Sequence, residues 1–200
     1  MITPRRPLDG VRELWRAVRN APERVLHPWR RARARALLRR VAPPDTVLVI
    51  CHANLCRSPY AAGALRRLLP PTAVTRVESA GFRGAHRSPP RDALEVAAAR
   101  GVSLGRHTSR LLTPAAVMGA DLVVVMEPGQ AGAVRRMGRT KHPVLVLGDL
   151  DPLAASSRSI RDPVEQPRQI FAESYGRIDR CLGELVAEVW GVGREAGAGG

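Results

Sequence analysis

A cysteine and an arginine six positions apart form the most reactive pair in the sequence. Cys51 opens the stretch Cys51-His-Ala-Asn-Leu-Cys-Arg57-Ser58-Pro59, which lies between an apolar run and a segment of helical composition. A loop in this position directs backbone N–H groups and the positive end of a helix dipole at one point, which makes an anion site. We expect Cys51 to be largely thiolate there, and therefore nucleophilic. The planar fork of Arg57 can hold two oxygens of an oxyanion, and Ser58 can donate a hydrogen bond to the sulfur.

The elements around this loop alternate between strands and helices. Short apolar, β-branched runs are typical of buried parallel strands, and the segments between them have helical spacing. This alternation predicts a single α/β domain, Rossmann-like, with a central parallel sheet, helices on both faces and the anion loop after the first strand. Strands are predicted at 47–50, 73–79, 121–126 and 143–147, and helices at 58–69, 92–100 and 170–190.

The N-terminal segment differs from the rest in charge and pattern. Residues 1–42 contain twelve arginines and three acidic residues, a net charge of +9 out of the total of +14. Helical spacing predicts one helix over 11–18 and a second over 29–41, with Pro22 and Pro28 interrupting between them. Arginines opposite Trp and Leu suit an anionic membrane surface or a partner protein, and they equally suit a helical hairpin folded back on the domain.

These patterns divide the chain into three parts. Residues 1–44 form a basic helical extension, residues 45–191 form the α/β domain, and residues 192–200 form a Gly-rich tail that is predicted to be disordered. The basic segment lacks the aromatic interleaving or groove-reading motif of a nucleic-acid binder, so nucleic acid is not predicted as a partner.

Length and cysteine content limit the class of protein further. Two hundred residues accommodate one domain with an appendage. The three cysteines, Cys51, Cys56 and Cys181, are too few for a disulfide framework, which favours a reducing compartment, and the cytoplasm is the predicted location. No apolar run approaches the roughly 18 residues that a membrane span needs, and the N-terminus lacks the apolar stretch of a secretory signal.

The segment from Val47 to Pro59 resembles the phosphate loop of low-molecular-weight protein tyrosine phosphatases. Beyond the spacing of Cys51 and Arg57, the family pattern is matched by Asn54, by the second cysteine and by Ser-Pro after the arginine. The resemblance covers roughly residues 46–190, and it continues through Glu78-Ser-Ala-Gly81, Gly101, His107, Asp121-Leu-Val-Val-Val-Met126, Asp162-Pro163, Phe171 and Tyr175.

This resemblance implies a phosphatase that acts on phosphotyrosine in proteins without a metal or other cofactor. Cys51 would attack phosphorus to give a phosphocysteine, and Asp162 would protonate the leaving oxygen and then act as base toward water. Arg57 and the loop amides would stabilise charge on the equatorial oxygens. Asn54, Ser79 and His107 would support the loop, and the phosphate-binding residues would be His52, Ala53, Asn54, Leu55, Cys56, Arg57 and Ser58.

Three positions bear on specificity because they depart from relatives. Ala53 stands where the best-known members have Gly, and its Cβ is expected to tighten the loop. Val164 stands where many members place an aromatic wall for the phosphotyrosine ring, so stacking on that ring would be lost. Leu55 stands where arginine-phosphatase relatives carry threonine, which favours phosphotyrosine over phosphoarginine.

Several residues also fit other interpretations. In the family, a cysteine at position 56 can form a reversible disulfide with the nucleophile, but Cys56 could also merely pack. Cys51, Cys56 and His52 give a poor tetrahedral set for zinc. Asp151 also precedes a proline and competes with Asp162 for the role of acid, but the distance of Asp162 from the final helix fits the family better. His107 fits a hydrogen-bonded structural histidine or a helix cap equally well.

The alternative functions are a thioredoxin-linked arsenate reductase, a binding module for phosphorylated ligands, and a membrane-associated phosphatase of sugar or lipid phosphates. The arsenate reductase would need a relay pair of cysteines, for which only Cys181 is available.

Overall fold

A computed structural model describes residues 7–137 and 142–192, with side chains from residue 23 onward. The Gly-rich tail that was predicted to be disordered lies outside the described residues, apart from Val192. Among the helices of the described part, none is long and apolar enough to cross a membrane. The elements are α1 (Pro7–Leu38), β1 (Thr46–Cys51), α2 (Arg57–Leu68), β2 (Arg76–Gly81), α3 (Arg91–Ala99), α4 (Pro114–Met118), β3 (Leu122–Val125), α5 (Pro128–Met137), β4 (Val144–Val146), a 3-10 turn (Leu147–Leu150) and α6 (Arg168–Trp190).

A four-stranded sheet lies at the centre, with strand order β2-β1-β3-β4 and every described pairing parallel. Its residues alternate between two faces because successive side chains of a strand point to opposite sides. Val47 and Val49 face a core shared with α2, α3 and α6, whereas Leu48 and Ile50 face a second core shared with α4 and α5. The predicted α/β fold is therefore confirmed, with helices on both faces of the sheet.

The described part of the N-terminal extension contains one continuous helix, α1, and not the predicted pair. Helix α1 runs for 32 residues, and Pro22 and Pro28 both lie inside it. A proline removes one backbone hydrogen bond and crowds the carbonyl four residues earlier, which a helix can tolerate when packing compensates. Here the ring of His27 lies 2.9 Å from the backbone oxygen of Asp151, and Leu38 is fully buried. The predicted break, and with it the hairpin, is wrong because tertiary contacts outweigh the local cost.

Arginines of α1 and of the turn that follows it also pair with acidic residues of α6. Arg31 contacts Glu184 at 2.6 Å, and Arg35 and Arg39 reach the two carboxylate oxygens of Glu188 at 2.5 and 2.9 Å. The Glu188 side chain is 1% exposed, so these bonds form at the edge of the core. Part of the basic face of α1 thus docks the helix on the domain.

We predict that Glu188→Gln weakens this docking. The change removes the shared anion of Arg35 and Arg39, and both guanidiniums can then turn to water, so we expect a loss of about 1–2 kcal/mol in the free energy of unfolding. Urea unfolding measures this loss, and limited proteolysis should show faster cleavage within α1. Glu23→Gln is the matched control, because Glu23 pairs with Arg30 on the same helix. Equal stabilities for the two variants would contradict this account of α1.

Candidate active site

The loop between β1 and α2 is shaped by one asparagine. Asn54 adopts the left-handed backbone conformation, with φ of 54°, which asparagine tolerates better than most residues. Its buried side-chain amide donates hydrogen bonds of 2.9 Å to the hydroxyls of Ser58 and Ser79. Its side-chain oxygen accepts a bond of 2.8 Å from the backbone N–H of Arg110. Asn54 therefore ties the loop to α2, to β2 and to the segment that follows His107.

His107 holds the same loop from the other side. Its Nε2 lies 2.8 Å from the backbone oxygen of Asn54. Burial, and secondarily the charges of Arg110 and Arg66, lower the pKa of His107 below its ordinary 6.5. The imidazole is therefore neutral at pH 7, and a proton on Nε2 makes it a donor to the Asn54 carbonyl. The geometry thus places His107 and Ser79 in contact with the loop.

The end of β2 leaves room for the loop because Gly81 has no side chain. A Cβ at this position would lie 2.6 Å from the backbone nitrogen of Asn54 and 2.7 Å from the backbone carbon of Ala53. Backbone atoms cannot yield at such distances without moving the whole loop. The Glu78-Ser-Ala-Gly81 segment therefore supplies both the Ser79 hydroxyl and the space into which the loop fits.

Cys51 lies at the carboxyl end of β1, with its sulfur facing into the loop. The side chain is buried, and its Sγ accepts a hydrogen bond of 3.2 Å from the N–H of Asn54 and one of 3.0 Å from the hydroxyl of Ser58. No side chain of the described residues caps the N-terminus of α2. The sulfur thus lies among donors that favour negative charge.

Arg57 begins α2 and is 1% exposed. One terminal nitrogen contacts Glu127 at 2.7 Å and the backbone oxygen of Ile160 at 2.9 Å, and the other contacts the carboxylate of Asp162. Its Nε is buried and makes no hydrogen bond within the described chain. An unpaired buried donor is costly, so Nε is a donor suited to an additional acceptor.

The two candidate acids lie in different surroundings. Asp162 contacts Arg57, and its other oxygen accepts a bond of 3.3 Å from the N–H of Val164. Asp151 is buried and contacts Arg177 at 2.9 Å and Arg180 at 3.2 Å, so its carboxylate serves the anchoring of α6. The structure brings Asp162, and not Asp151, to the loop arginine.

Sequence reasoning missed Glu127 as part of this site. Its carboxylate is 38% exposed and contacts Arg57 at 2.7 Å. Gln130 donates a bond of 3.1 Å to the same Oε1 and thereby fixes its position. The signal was available, because Glu127 follows the carboxyl end of a predicted parallel strand, where such sheets place their ligands.

The remaining cysteines are buried thiols. Burial first, and then the proximity of Cys51, raises the pKa of Cys56 to about 12, and burial raises the pKa of Cys181 to about 12. Cys181 lies within α6 and is fully buried. Among the described residues, no three His, Cys, Asp or Glu side chains form a group that could hold a metal ion.

Two aromatic residues of α6 and one of α2 pack together next to the loop. The ring of Tyr175 stacks on that of Tyr60 with centroids 3.8 Å apart, and Phe171 meets Tyr175 edge-on. The Tyr175 hydroxyl donates a bond of 3.4 Å to the backbone oxygen of Cys56. This aromatic layer explains why Phe171 and Tyr175 belong to the motif.

The fold and the site together define the class of protein: an α/β protein in which the loop between β1 and α2 carries a buried cysteine and leads to a buried arginine. A family model described as "Low molecular weight phosphotyrosine protein phosphatase" matches residues 46–193. The chain belongs to this family, as the sequence predicted, and it is therefore a phosphatase that hydrolyses phosphate monoesters.

Individual relatives agree with this assignment. The probable low molecular weight protein-tyrosine-phosphatase EpsP of Ralstonia solanacearum is 34% identical over 153 residues, which cover 74% of this chain and 98% of the relative. The crystal structure of the tyrosine phosphatase AmsI from Erwinia amylovora superposes with a TM-score of 0.66 at 28% identity, over 73% of this chain and 93% of that one. The structure of Wzb from Escherichia coli K30 in complex with sulphate gives 0.62 at 28% identity, over 70% and 94% of the two chains.

We predict a pH dependence of stability that originates at His107. Because the folded-state pKa is lower than that of the unfolded chain, the unfolded state binds the proton more tightly. The stability that neutral His107 contributes is present above a pH of about 6.5 and is lost as the pH falls toward the folded-state pKa. The melting temperature of the wild type should therefore fall more between pH 7.5 and 5.5 than that of His107→Gln, which retains a donor. Parallel curves for the two proteins would show that the pKa of His107 is the same in the folded and the unfolded chain, and would contradict this prediction.

Proposed function

We propose that the protein hydrolyses phosphotyrosine in proteins through a phosphocysteine intermediate. Cys51 is the nucleophile, Arg57 the phosphate clamp and Asp162 the proton donor, on a domain of residues 45–191 that carries residues 1–44 as an extension. The observation that carries this proposal is the pair of hydrogen bonds that Asn54 and Ser58 donate to the Cys51 sulfur, because they stabilise a thiolate at the end of β1.

In the first step the Cys51 sulfur attacks phosphorus as the bond to the leaving oxygen breaks. The loop amides from His52 to Arg57 surround the three equatorial oxygens, and the guanidinium takes two of them. A proton from Asp162 neutralises the leaving oxygen, which departs as an alcohol or phenol. The sulfur now carries the phosphoryl group.

In the second step water attacks the same phosphorus and the P–S bond breaks. The Asp162 carboxylate accepts a proton from the attacking water, inorganic phosphate leaves, and the Cys51 thiolate is regenerated. Asp162 thus acts as acid in the first step and as base in the second, so its carboxyl group returns to its starting protonation state after each turnover.

The contacts of Arg57 suggest how binding prepares this cycle. Its guanidinium pairs with Asp162 and Glu127, and a phosphate dianion competes with both carboxylates for it. Once the phosphate holds the guanidinium, Asp162 is released to carry the proton that the leaving oxygen needs. Sulphate bound to the related Wzb supports a tetrahedral oxyanion as the ligand of this loop.

The same geometry gives less support to the alternative functions. An arsenate reductase relay requires accessible thiols, whereas Cys181 is fully buried with a raised pKa. A binding module without turnover has no need of an acid, whereas Asp162 contacts Arg57. The disulfide between Cys56 and the nucleophile and the cytoplasmic location stay predictions.

We predict that Cys51→Ser abolishes turnover of a phosphotyrosyl peptide, by at least roughly 10⁴-fold, and retains phosphate binding, because the amides and Arg57 remain. Asp162→Asn should lower kcat by about 10²- to 10⁴-fold, since the leaving oxygen then departs without a proton. Steady-state kinetics and calorimetric binding of phosphate measure these effects, with Cys181→Ser as the matched cysteine control. Undiminished hydrolysis by Cys51→Ser would exclude the covalent route.

We predict a substrate preference in which phosphotyrosyl peptides exceed both phosphoarginine and sugar phosphates in kcat/KM. Leu55 offers no hydroxyl to a phosphoguanidinium, and the partly buried Val164 packs against the core beside Asp162 as an apolar wall. Initial rates on the three substrate classes measure this preference, and Val164→Tyr should raise kcat/KM for the aryl substrate by restoring ring stacking. A sugar phosphate as the best substrate would favour the alternative phosphatase.

A further inference from the structure

A second concave surface lies between α1 and the edge of the sheet. This groove is bounded by the C-terminal half of α1 on one side and by α5 and β4 on the other, and it encloses about 790 Å³. That volume falls within the roughly 300–1,000 Å³ of ligand sites. We call it the α1 groove, and its lining includes Trp29, Arg30, Arg33, Leu37, Arg40 and Arg135.

The charge of the α1 groove is strongly one-sided. Among the described residues of its lining, Asp149 is the one carboxylate, and Arg158 already holds that group through two bonds of 2.8 and 2.7 Å. Arg33 faces the groove from α1, Arg40 faces it from the turn after α1, and Arg135 faces it from α5. None of the three forms an ion pair with a described residue. Clustered guanidiniums without carboxylate partners attract an anionic ligand.

The groove also presents apolar surface at its rim. Trp29 is 60% exposed and Leu37 is 38% exposed, and the guanidinium of Arg33 lies 5.6 Å from the Trp29 ring centroid. The spacing of these residues places them on one stripe of the helix, since i, i+4 and i+8 share a face. Exposed aromatic and arginine side chains are the types that are enriched at protein interfaces.

The shape of the groove is fixed because the opposite face of α1 is anchored to the domain. Leu38 is buried against the domain, and Arg31 and Arg35 pair with α6. Side chains on the exposed stripe are thus held over β4 by a fixed helix. A recessed site between two elements suits an extended polypeptide, whereas a flat bilayer contacts a protruding surface.

The groove adjoins the active site. Pro128 lies in its lining and directly follows Glu127, which contacts Arg57. From Pro128 to Arg135 the helix α5 rises about 10 Å at 1.5 Å per residue. A short length of chain therefore connects a phosphorylated residue at Cys51 with a segment lying in the groove.

We propose that the α1 groove is a docking site for an acidic segment, carrying apolar side chains, of a protein substrate. The inference rests on the proposed function, in that the substrate is a phosphoprotein. Docking there raises the local concentration of the phosphotyrosine at the loop and lowers KM, without contact with the reacting atoms.

The test compares two phosphotyrosyl peptides on the full chain. One carries a tail of alternating Glu and Leu on a Gly-Ser spacer, and the other carries Gln in place of Glu. We expect the acidic tail to lower KM by about fivefold at low salt, and this advantage to disappear in 0.5 M salt. It should also disappear in the double variant Arg33→Glu with Arg40→Glu.

The control variant Arg24→Glu with Arg76→Glu has the same change in net charge on residues that do not line the groove, and it should keep the advantage. A small aryl phosphate should be hydrolysed equally by all three proteins, which also reports that each is folded. An acidic tail without effect on KM, or an advantage that survives in the groove variant, would overturn the docking site. Failure of the wild type to hydrolyse the aryl phosphate would instead overturn the proposed function.

Flotation with vesicles of phosphatidylserine and phosphatidylcholine distinguishes the lipid alternative. The wild type and the groove variant should stay in the buffer to the same extent. Vesicle binding that requires Arg33 and Arg40, together with no effect of the acidic tail, would assign the surface to a membrane and overturn the peptide proposal.

Discussion

The site depends on the conformation of Asn54. Its left-handed backbone turns its N–H toward the Cys51 sulfur, and its side chain bonds Ser58, which donates to the same sulfur. These bonds work only if the loop cannot relax away, and so Ser79 and His107 fix the asparagine from two further elements. A buried anion needs donors that are already oriented, because reorientation at the moment of binding would cost free energy.

The arginine of the loop is held by a different means. Arg57 is buried, and a buried guanidinium requires nearby charge, which Glu127 and Asp162 supply. Both carboxylates are partly exposed, and in the proposed mechanism an incoming oxyanion competes with them for the guanidinium. The contacts that stabilise Arg57 without a ligand therefore lower its affinity for one. In the proposed mechanism, phosphate binding releases Asp162 from Arg57, and Asp162 is the acid that the chemistry requires.

Some arginines of the N-terminal extension form ion pairs with the domain, and others face the groove. Arg31, Arg35 and Arg39 are committed to α6, whereas Arg33 and Arg40 face the groove. Helical periodicity explains why Arg31 and Arg35 lie on one face of α1 and Arg33 on another, because residues four apart share a face and residues two apart do not. One set of arginines in the segment thus anchors it to α6 through ion pairs, and the other lines the groove that we propose as a docking site.

The local sequence pattern was enough to predict the α/β fold, the loop after β1 and the joint role of Cys51 and Arg57. Apolar strand runs and the reactive motif each consist of residues that are close together in the sequence. Even the family could be identified from that stretch. Tertiary structure alone decided that Glu127 contacts Arg57 and that α1 passes through Pro22 and Pro28 unbroken. These outcomes depend on which distant residues pack together, and the energy of such contacts exceeds the local preferences that a sequence pattern records.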